Sequence, residues 1–321
     1  MKILVTGGMG FIGHHVVAML EQRGHEVIII DNETTYGIID PTELHRLMEE
    51  RSQKISTTRI YNRDIRDEKN VEWVYARYEP ELVIHMASFP RQKVVNANPR
   101  LGSQTMSEGL LNLLELSKKY RVRKFVYISS SMVYGDFDDG TTEDHDCDPL
   151  GQYGVLKLAG EWLTRDSTRR TGMQHMILRP SAVYGPLDVE DRVVSKFLLT
   201  AMRGGEIQVN GANEALDFTY VTDAARGIVS AALSDAANDV YNITRGRCRT
   251  LLEAAELAVR IAGAGHISVR EASSDFPSRG RLDITRARTA FGFSPMIDIE
   301  QGFQQYYEWL ANSLYRDKKA V

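Results

Sequence analysis

The chain has 321 residues, of which 43% are hydrophobic and 26% charged, and its formal net charge is -4. This composition is typical of a globular protein long enough for one large domain or two modest ones. The negative charge argues against a nucleic-acid surface, and the lack of a run of 18 apolar residues argues against a membrane span. No signal peptide is predicted because the first residues form an apolar strand, so a cytoplasmic location is expected.

The N-terminal segment predicts a strand, a glycine turn and a helix. An apolar run over 2–5 suits a buried parallel strand, and residues 14–23 continue at helical spacing. Between them stand Gly7, Gly10 and Gly13, whose missing Cβ atoms let a pyrophosphate approach the backbone and the helix N-terminus. Tight turns and helix packing also use glycine. The triplet alone therefore leaves dinucleotide binding and a structural turn as two open interpretations.

A second apolar run, 27–30, ends in Asp31, which stands 18 residues after Gly13. A carboxylate at this place can accept the hydroxyls of an adenosine ribose. It would also repel a 2′-phosphate, which favours NAD over NADP. The alternative is that Asp31 only ends a strand.

The rest of the chain alternates short apolar strands with amphipathic stretches. Further strands are predicted at 82–85, 125–129, 176–178 and 240–243, and helices at 41–54, 101–119, 153–170 and 251–262. This alternation predicts an α/β fold with a Rossmann-type, doubly wound parallel sheet. The pattern loosens after Leu178. We therefore predict an NAD-binding domain over 1–178 plus about 217–243, and a smaller C-terminal substrate-binding lobe over 179–216 plus 244–321.

Two of the predicted helices have a stated surface. The 41–54 helix is rich in charge and is predicted to lie on the surface. In the 153–170 helix, Val155, Leu158 and Trp162 fall at helical spacing and predict an apolar face. Cys147 and Cys248 lie far apart in sequence with no partner at ligand spacing, so neither a disulfide framework nor a metal site is expected.

Residues able to do chemistry follow the 125–129 strand. Ser130 belongs to a run of three serines at the carboxyl edge of the sheet, where open α/β sheets bind ligands. Tyr153 and Lys157 stand four apart on a predicted helix and so share a face. A neighbouring ammonium and a nicotinamide favour the phenolate, so Tyr153 is predicted to take a proton from a carbinol while its carbon gives hydride to NAD. For the pair alone, a solvated surface contact is the alternative.

With these residues in this order, the sequence resembles the extended short-chain dehydrogenase/reductase superfamily. Within it, the NAD-dependent sugar-nucleotide epimerase/dehydratase branch is the most similar, with a UDP-glucose 4-epimerase-like pattern. The likeness runs nearly the whole length. Beyond the glycine motif and Tyr153 with Lys157, the matching segments are 64–65, 85–88, 129–135, 179–186, 217–223 and 241–243.

The resemblance implies a set of site residues. Ser130 matches the catalytic hydroxyl, Tyr153 the base, and Lys157 the lysine that binds the nicotinamide ribose. The implied NAD contacts are Gly7, Gly10, Phe11, Ile12, Gly13, Asp31, Asn32, Asp64, Ile65, Met86, Ala87, Ser88, Tyr153 and Lys157. The implied substrate contacts are Ser130, Ser131, Met132, and Arg279 or Arg281, an arginine that pairs with the substrate pyrophosphate. The resemblance also implies a homodimer formed through the helices matching 101–119 and 153–170.

Five positions depart from the family pattern. Ser131 and Met132 stand where dehydratases and decarboxylases carry acids, which disfavours 4,6-dehydration. Met106 and Ala182 replace asparagines, and Leu216 replaces an arginine that often binds phosphate. These changes leave the base and the sugar undetermined.

The predicted function is that of an NAD-dependent epimerase of a nucleoside-diphosphate sugar, acting at C4 through a transient 4-keto intermediate. The alternatives are an NAD(P)-dependent reductase or dehydrogenase of the same family and a non-catalytic dinucleotide-sensing protein.

Overall fold

Strands and helices alternate along the computed structural model, which describes residues 1–34, 37, 39–89, 92–189, 191–272, 277–313 and 315. The strands are β1 (Lys2–Thr6), β2 (Glu26–Asp31), β3 (Ile60–Asn62), β4 (Leu82–His85), β5 (Lys124–Ile128), β6 (Gln174–Pro180), β7 (Val183–Tyr184), β8 (Glu206–Asn210), β9 (Ala215–Leu216), β10 (Thr219–Tyr220), β11 (Asp239–Ile243), β12 (Arg249–Thr250) and β13 (His266–Arg270). The helices are α1 (Gly13–Gln22), α2 (Pro41–Ser52), α3 (Glu68–Tyr78), α4 (Gln92–Ala97), α5 (Pro99–Ser103), α6 (Gly109–Lys119), α7 (Gln152–Thr171), α8 (Val193–Met202), α9 (Val221–Leu233), α10 (Leu251–Ala262), α11 (Thr285–Phe291) and α12 (Ile299–Asn312).

Seven parallel strands form the main sheet, in the spatial order β11-β6-β5-β4-β1-β2-β3. The apolar runs found in the sequence form strands of this sheet because helices cover both of its faces, as a parallel sheet requires. The strand order reverses between β1 and β4. The predicted Rossmann-type architecture is confirmed, and the reversal marks the carboxyl edge near β1 and β4 as the place for a ligand.

Three large apolar clusters hold the fold together. One covers one face of the sheet with α1 and α9, and a second covers the other face with α3 and α6. The third lies in the C-terminal part of the chain, where Leu198 of α8, Ala258 of α10 and Phe303 of α12 pack together. The domain boundaries drawn from the sequence stay a prediction.

The predicted helix at 101–119 is interrupted. Between α5 and α6 the chain forms a π-helical turn, Gln104–Glu108, of the kind that often lies near functional sites. Gly109, which follows this turn, packs against Ile65, and a Cβ on Gly109 would lie 2.6 Å from Cγ1 of that side chain. The sequence pattern misses the interruption because the apolar periodicity of α6 continues through it.

The prediction that 41–54 is a surface helix is wrong for one face. Asp40 caps α2 by accepting the N–H of Thr42 at 2.8 Å. However, Glu43, Leu47 and Arg51, which recur at four-residue intervals, are all buried. Charged residues can lie in such a place when each finds a polar partner.

The predicted apolar face of α7 also lies differently. Val155 and Trp162 are 50% and 58% exposed. The buried face instead carries Lys157, Glu161 and small residues. The helical spacing of apolar residues identified the helix correctly, but Val155 and Trp162 are exposed on its outer face.

Candidate active site

The glycine turn connects β1 to α1 in a shape that side chains would obstruct. Gly7 has a φ of 73°, and a Cβ on it would lie 2.7 Å from the backbone nitrogen of Ala87. A Cβ on Gly13 would lie 2.1 Å from the carbonyl oxygen of Gly7, and one on Gly10 would lie 3.0 Å from the same oxygen. The N-terminus of α1, which Phe11 and the N-cap residue Ile12 precede, therefore offers N–H groups beside glycines that carry no side chain. Such N–H groups suit a pyrophosphate.

Asp31 lies against this turn. Its Oδ2 accepts the N–H of Met9 at 2.9 Å, and its Oδ1 accepts the N–H of Glu33 at 2.8 Å. Burial raises the pKa of this carboxyl, and the two backbone donors act in the opposite direction. Each oxygen keeps a lone pair with which it can accept a ribose hydroxyl.

Asn32 and Asp64 meet at the neighbouring edge of the sheet. Asn32 Nδ2 lies 3.4 Å from Asp64 Oδ2, and Arg66 donates to the two oxygens of Asp64 at 2.9 and 2.6 Å. The hydrogen bonds from Arg66 lower the pKa of Asp64. The sequence analysis missed Asn112, which donates to the carbonyl of Ile65 at 3.1 Å and so fixes this segment.

The 86–88 segment leaves β4 beside the glycine turn. Met86 N–H donates to the Thr6 carbonyl at 3.0 Å, and Ala87 N–H donates to Thr6 Oγ1 at 3.3 Å. The same hydroxyl lies 2.7 Å from His85 Nδ1, which is buried. The backbone of Met86 and Ala87 therefore lies next to Gly7, and Ser88 follows directly in the chain.

Ser130, Tyr153 and Lys157 come together at the carboxyl end of β5. The Ser130 side chain lies close enough to the Tyr153 phenol to lower the pKa of that phenol, and Ser130 Oγ accepts the N–H of Met132 at 3.2 Å. Lys157 Nζ donates to the carbonyl of Ile128 at 2.7 Å and lies 5.9 Å from the centre of the Tyr153 ring. A hydroxyl, a phenol and an ammonium thus share one place, which is the set that proton transfer from an alcohol requires.

Burial acts on the two titratable groups in opposite directions. It raises the pKa of Tyr153, and the charge of Arg192 and the hydrogen bond with Ser130 only partly oppose this. Burial lowers the pKa of Lys157 to about 7, against the effect of the Glu161 carboxylate. The phenol therefore stays protonated at neutral pH until a positive group is added beside it.

A buried ion pair lies behind Lys157. Glu161, one turn further along α7, accepts Arg179 Nε at 2.8 Å and Arg179 Nη2 at 2.7 Å, and also the hydroxyl of Ser129 at 2.6 Å. The Arg179 guanidinium lies 4.7 Å from the centre of the Tyr134 ring. Sequence analysis did not select Glu161, although its four-residue spacing from Lys157 was an available signal.

The predicted substrate residues Ser131 and Met132 have different partners. Ser131 Oγ donates to Ser181 Oγ at 3.0 Å, and Met132 Sδ lies 3.9 Å from Arg279 Nη1. Burial lowers the pKa of Arg279 to about 10, against the attraction of Glu214.

Arg281 is placed differently from Arg279. Its backbone N–H donates to Asp139 Oδ1 at 2.7 Å, and its carbonyl accepts the N–H of Gly140 at 2.7 Å. These bonds tie Arg281 to the 136–141 loop. Of the two arginines, Arg279 is therefore the one whose side chain contacts the segment that follows Ser130.

A further cation, which the sequence analysis missed, stands at the start of α8. Arg192 Nε lies 3.7 Å from Asp188 Oδ2, and the Arg192 charge lowers the pKa of Tyr153. No motif or periodicity pointed to this residue because the contact joins two distant segments.

The three other residues that depart from the family pattern are Met106, Ala182 and Leu216, and the structure gives the surroundings of each. Met106 is buried with Phe89 and Val95. Ala182 has a φ of 39°, in the region that asparagine and glycine tolerate better than alanine. Leu216 pairs with Arg249 across β9 and β12.

Two features are absent from the described residues. No helix among them is both long enough and apolar enough to span a membrane. No group of three or more His, Cys, Asp or Glu side chains among them is arranged to hold a metal ion.

Residues 3–244 match the model of the NAD dependent epimerase/dehydratase family. The chain belongs to this family. It is 31% identical to a putative UDP-glucose 4-epimerase of Methanocaldococcus jannaschii, over 97% of this chain and 99% of the relative. It is 30% identical to a dTDP-glucose 4,6-dehydratase of Streptomyces niveus, over 100% of this chain and 94% of the relative.

Solved structures give the same result. The fold is similar to the crystal structure of UDP-glucuronic acid 4-epimerase from Bacillus cereus in complex with UDP-glucuronic acid and NAD. The TM-score is 0.88 at 26% identity, over 97% of this chain and 99% of that one. These findings confirm the predicted class, an NAD-dependent nucleotide-sugar epimerase.

The residues of this family member fit NAD. The backbone around Gly7 and Gly13 leaves no room for side chains, and the Asp31 carboxylate lies at the same turn. Both features are what a dinucleotide needs for its pyrophosphate and its adenosine ribose. The individual contacts remain those predicted from the sequence.

We expect Gly7→Ala to abolish retention of NAD and Gly24→Ala to leave it intact. The two residues have φ values of 73° and 76°, so both alanines bear the same left-handed backbone cost, roughly 1–2 kcal/mol. A Cβ on Gly24 meets no atom within 4 Å, whereas a Cβ on Gly7 displaces Ala87. NAD released on denaturing the purified variants measures the difference. Equal NAD content in both would contradict the assignment of this turn.

Proposed function

We propose that this enzyme interconverts the C4 epimers of a UDP-sugar, with Tyr153 as the acid–base group. The observation that carries the proposal is the meeting of Ser130, Tyr153 and Lys157 at one end of β5, with no carboxylic acid at Ser131 or Met132. A dehydratase needs an acid to protonate the leaving hydroxyl, and this segment offers none. UDP is the nucleotide named for the relative from Methanocaldococcus jannaschii and for the Bacillus cereus structure.

The chain's own groups handle the proton. Tyr153 Oη takes the proton of the C4 hydroxyl, and Ser130 Oγ holds the same oxygen through a hydrogen bond. The Lys157 ammonium, close to the Tyr153 ring, stabilises the phenolate that results. NAD held by the glycine turn and Asp31 would supply the acceptor, and later the donor, for the C4 hydride. Tyr153 then gives its proton back to the oxygen of the turned sugar.

Arg279 holds the other end of the substrate in this proposal. Its half-buried guanidinium reaches Met132 in the segment after Ser130, and its planar donor set suits a pair with a pyrophosphate. A fixed pyrophosphate lets the 4-keto sugar rotate about its linkage and present its other face.

Turnover of candidate substrates tests the proposal. The purified enzyme is incubated separately with UDP-glucose, UDP-glucuronate and dTDP-glucose, and the products are separated chromatographically while absorbance at 340 nm is followed. We expect a UDP-sugar to give its C4 epimer with no net NADH. Stoichiometric NADH would indicate a dehydrogenase, a 4-keto-6-deoxy product would indicate a dehydratase, and NAD binding without any turnover would indicate a dinucleotide sensor.

We expect Arg279→Met to raise the KM for the nucleotide sugar while Arg281→Met leaves it near the wild-type value. Loss of a charge-assisted pair costs roughly 1.5–3 kcal/mol, which corresponds to an increase of about 10- to 100-fold. Steady-state kinetics of both variants on the preferred substrate measure this. The same KM for both variants, or a larger effect at Arg281, would contradict the choice of Arg279.

A homodimer formed through α6 and α7 is part of the proposal. Leu111, Val155 and Trp162 on these helices are 44%, 50% and 58% exposed, an amount of apolar surface that a second copy would cover. The cytoplasmic location expected from the sequence stays a prediction.

We expect Trp162→Glu to convert a dimer into a monomer, because a carboxylate cannot be buried unpaired in an apolar interface. Trp73→Glu is the matched control, since Trp73 is 47% exposed on α3 and outside the proposed interface. Light scattering at micromolar concentration reports the mass. A monomeric wild type, or a dimeric Trp162→Glu variant, would refute the interface.

A further inference from the structure

Arg51 joins two parts of the chain that lie far apart in sequence. It stands in the last turn of α2 and is 5% exposed. Its Nη1 donates to the carbonyl of Met9 at 3.2 Å, and its Nη2 donates to the carbonyl of Leu187 at 2.7 Å. One rigid, planar guanidinium therefore fixes the distance between the glycine turn and the segment that follows β7.

On the coenzyme side, the link continues directly to Asp31. The N–H of Met9 donates to Asp31 Oδ2 at 2.9 Å, while the carbonyl of the same residue accepts Arg51. Burial lowers the pKa of Arg51, and the negative charges of Asp188 and Asp31 oppose this most strongly. A ligand that engages Asp31 and the glycine turn thus acts on a residue that Arg51 holds.

On the substrate side, the link continues toward Tyr153. Leu187 has a φ of 68°, so this backbone is held in a left-handed conformation that needs support from its surroundings. The next residue, Asp188, is buried and lies 3.7 Å from Arg192 Nε. Arg192 begins α8, and its charge acts on the Tyr153 phenol.

We propose that Arg51 is a positioning residue that couples occupancy of the dinucleotide site to the position of residues 187–189, 191 and 192. The proposal rests on the proposed function only in taking Tyr153 as the reacting phenol. Binding of the dinucleotide restrains Met9, and Arg51 transmits that restraint to Leu187. The neighbouring pair of Asp188 and Arg192 is then held in position, so that the Arg192 charge continues to act on Tyr153. Tight binding of the coenzyme is thereby coupled to the correct placement of Asp188 and Arg192.

Amide hydrogen exchange with and without NAD tests this, and no nucleotide sugar is needed. In the wild-type enzyme stripped of NAD, we expect added NAD to slow exchange in residues 7–13 and also in 187–189 and 191–197, by roughly tenfold, within the range usual for coupled sites. In Arg51→Met, at saturating NAD, we expect the slowing at 7–13 to remain and the slowing at 187–189 and 191–197 to disappear. A purely structural loss would change exchange with and without NAD alike.

Two further variants make the test decisive. Arg51→Lys keeps the charge but cannot span both carbonyls, so it should bind NAD and lose the response at 187–197. Arg46→Met removes another arginine of α2, one that lies over the ring of Tyr315, and should behave as the wild type. The proposal is overturned if the wild type shows no response at 187–197 or if Arg51→Met keeps it. Loss of NAD binding in both Arg51 variants would also overturn it, because Arg51 would then belong to the coenzyme site itself.

Discussion

Tyr153→Phe is expected to lower kcat by about 10²- to 10⁴-fold, the usual worth of a general acid–base group, while NAD remains bound. The Tyr153 phenol lies near the Ser130 side chain, and the centre of its ring lies 5.9 Å from Lys157 Nζ. Phenylalanine keeps the ring and its packing and removes only the oxygen that exchanges the proton. The measurement is the initial rate on the preferred UDP-sugar, together with the NAD content of the purified variant.

Tyr75→Phe is the matched control for this substitution. Tyr75 is a buried tyrosine of α3 whose hydroxyl hydrogen-bonds to Ser117 at 3.0 Å, in a part of the fold separate from Ser130. Its loss should cost about 1 kcal/mol of stability and leave kcat unchanged. Epimerisation that survives in Tyr153→Phe at more than a tenth of the wild-type rate would remove Tyr153 from the mechanism.

Lys157→Met is expected to abolish most activity and yet make the protein more stable. Burial lowers the pKa of this lysine from 10.5 to about 7. A change of that size corresponds to about 5 kcal/mol of free energy that the protonated form costs the folded state. In the variant, the Ile128 carbonyl loses its donor, which costs about 1–3 kcal/mol of stability. The expected net gain in the free energy of unfolding is therefore about 2–4 kcal/mol near pH 6.

The pH dependence of this gain gives the prediction its signature. Below pH 7 the lysine is protonated in both the folded and unfolded states, so the wild type bears the full cost. As the pH rises from 7 toward 10.5, only the unfolded state keeps the proton, and wild-type stability increases. The advantage of Lys157→Met should therefore be largest at pH 6 and should turn, near pH 10.5, into a deficit of about 1–3 kcal/mol from the unpaired Ile128 carbonyl.

Denaturant unfolding of the NAD-free proteins at several pH values measures this difference. Lys124→Met is the matched control, because burial also lowers the pKa of Lys124, to about 8, and its Nζ donates to the carbonyl of Ser234 far from the site. That variant should keep full activity. A Lys157→Met variant that is less stable than the wild type at pH 6 would show that the ammonium supports the fold and is not held there at a cost for catalysis.

Arrangements that depend on local chain pattern could be predicted from the sequence. Short apolar runs gave the strands of the main sheet because a parallel sheet buries both faces. The glycine spacing placed the turn between β1 and α1, and the four-residue interval placed Tyr153 and Lys157 on one face of α7.

Contacts between distant segments could not be predicted in this way. Glu161 with Arg179, and Arg51 with Leu187, are buried polar pairs whose partners lie 18 and 136 residues apart in sequence. A charged residue within a helical sequence pattern is predicted to be exposed to solvent unless its buried partner is known. For that reason α2 was predicted as a surface helix although Arg51 is buried.

The sequence by itself determined the order of elements, the position of the glycine turn and the shared helix face of Tyr153 and Lys157, because periodicity and spacing express the geometry of single elements. The choice of Ser130 among three consecutive serines came from the resemblance to the family. Only the tertiary structure decided that Arg279 and not Arg281 contacts the segment after Ser130, that Arg192 acts on Tyr153, and that Val155 and Trp162 of α7 face outward. Which side of an element is covered depends on what packs against it in space, and a one-dimensional pattern carries no record of that partner.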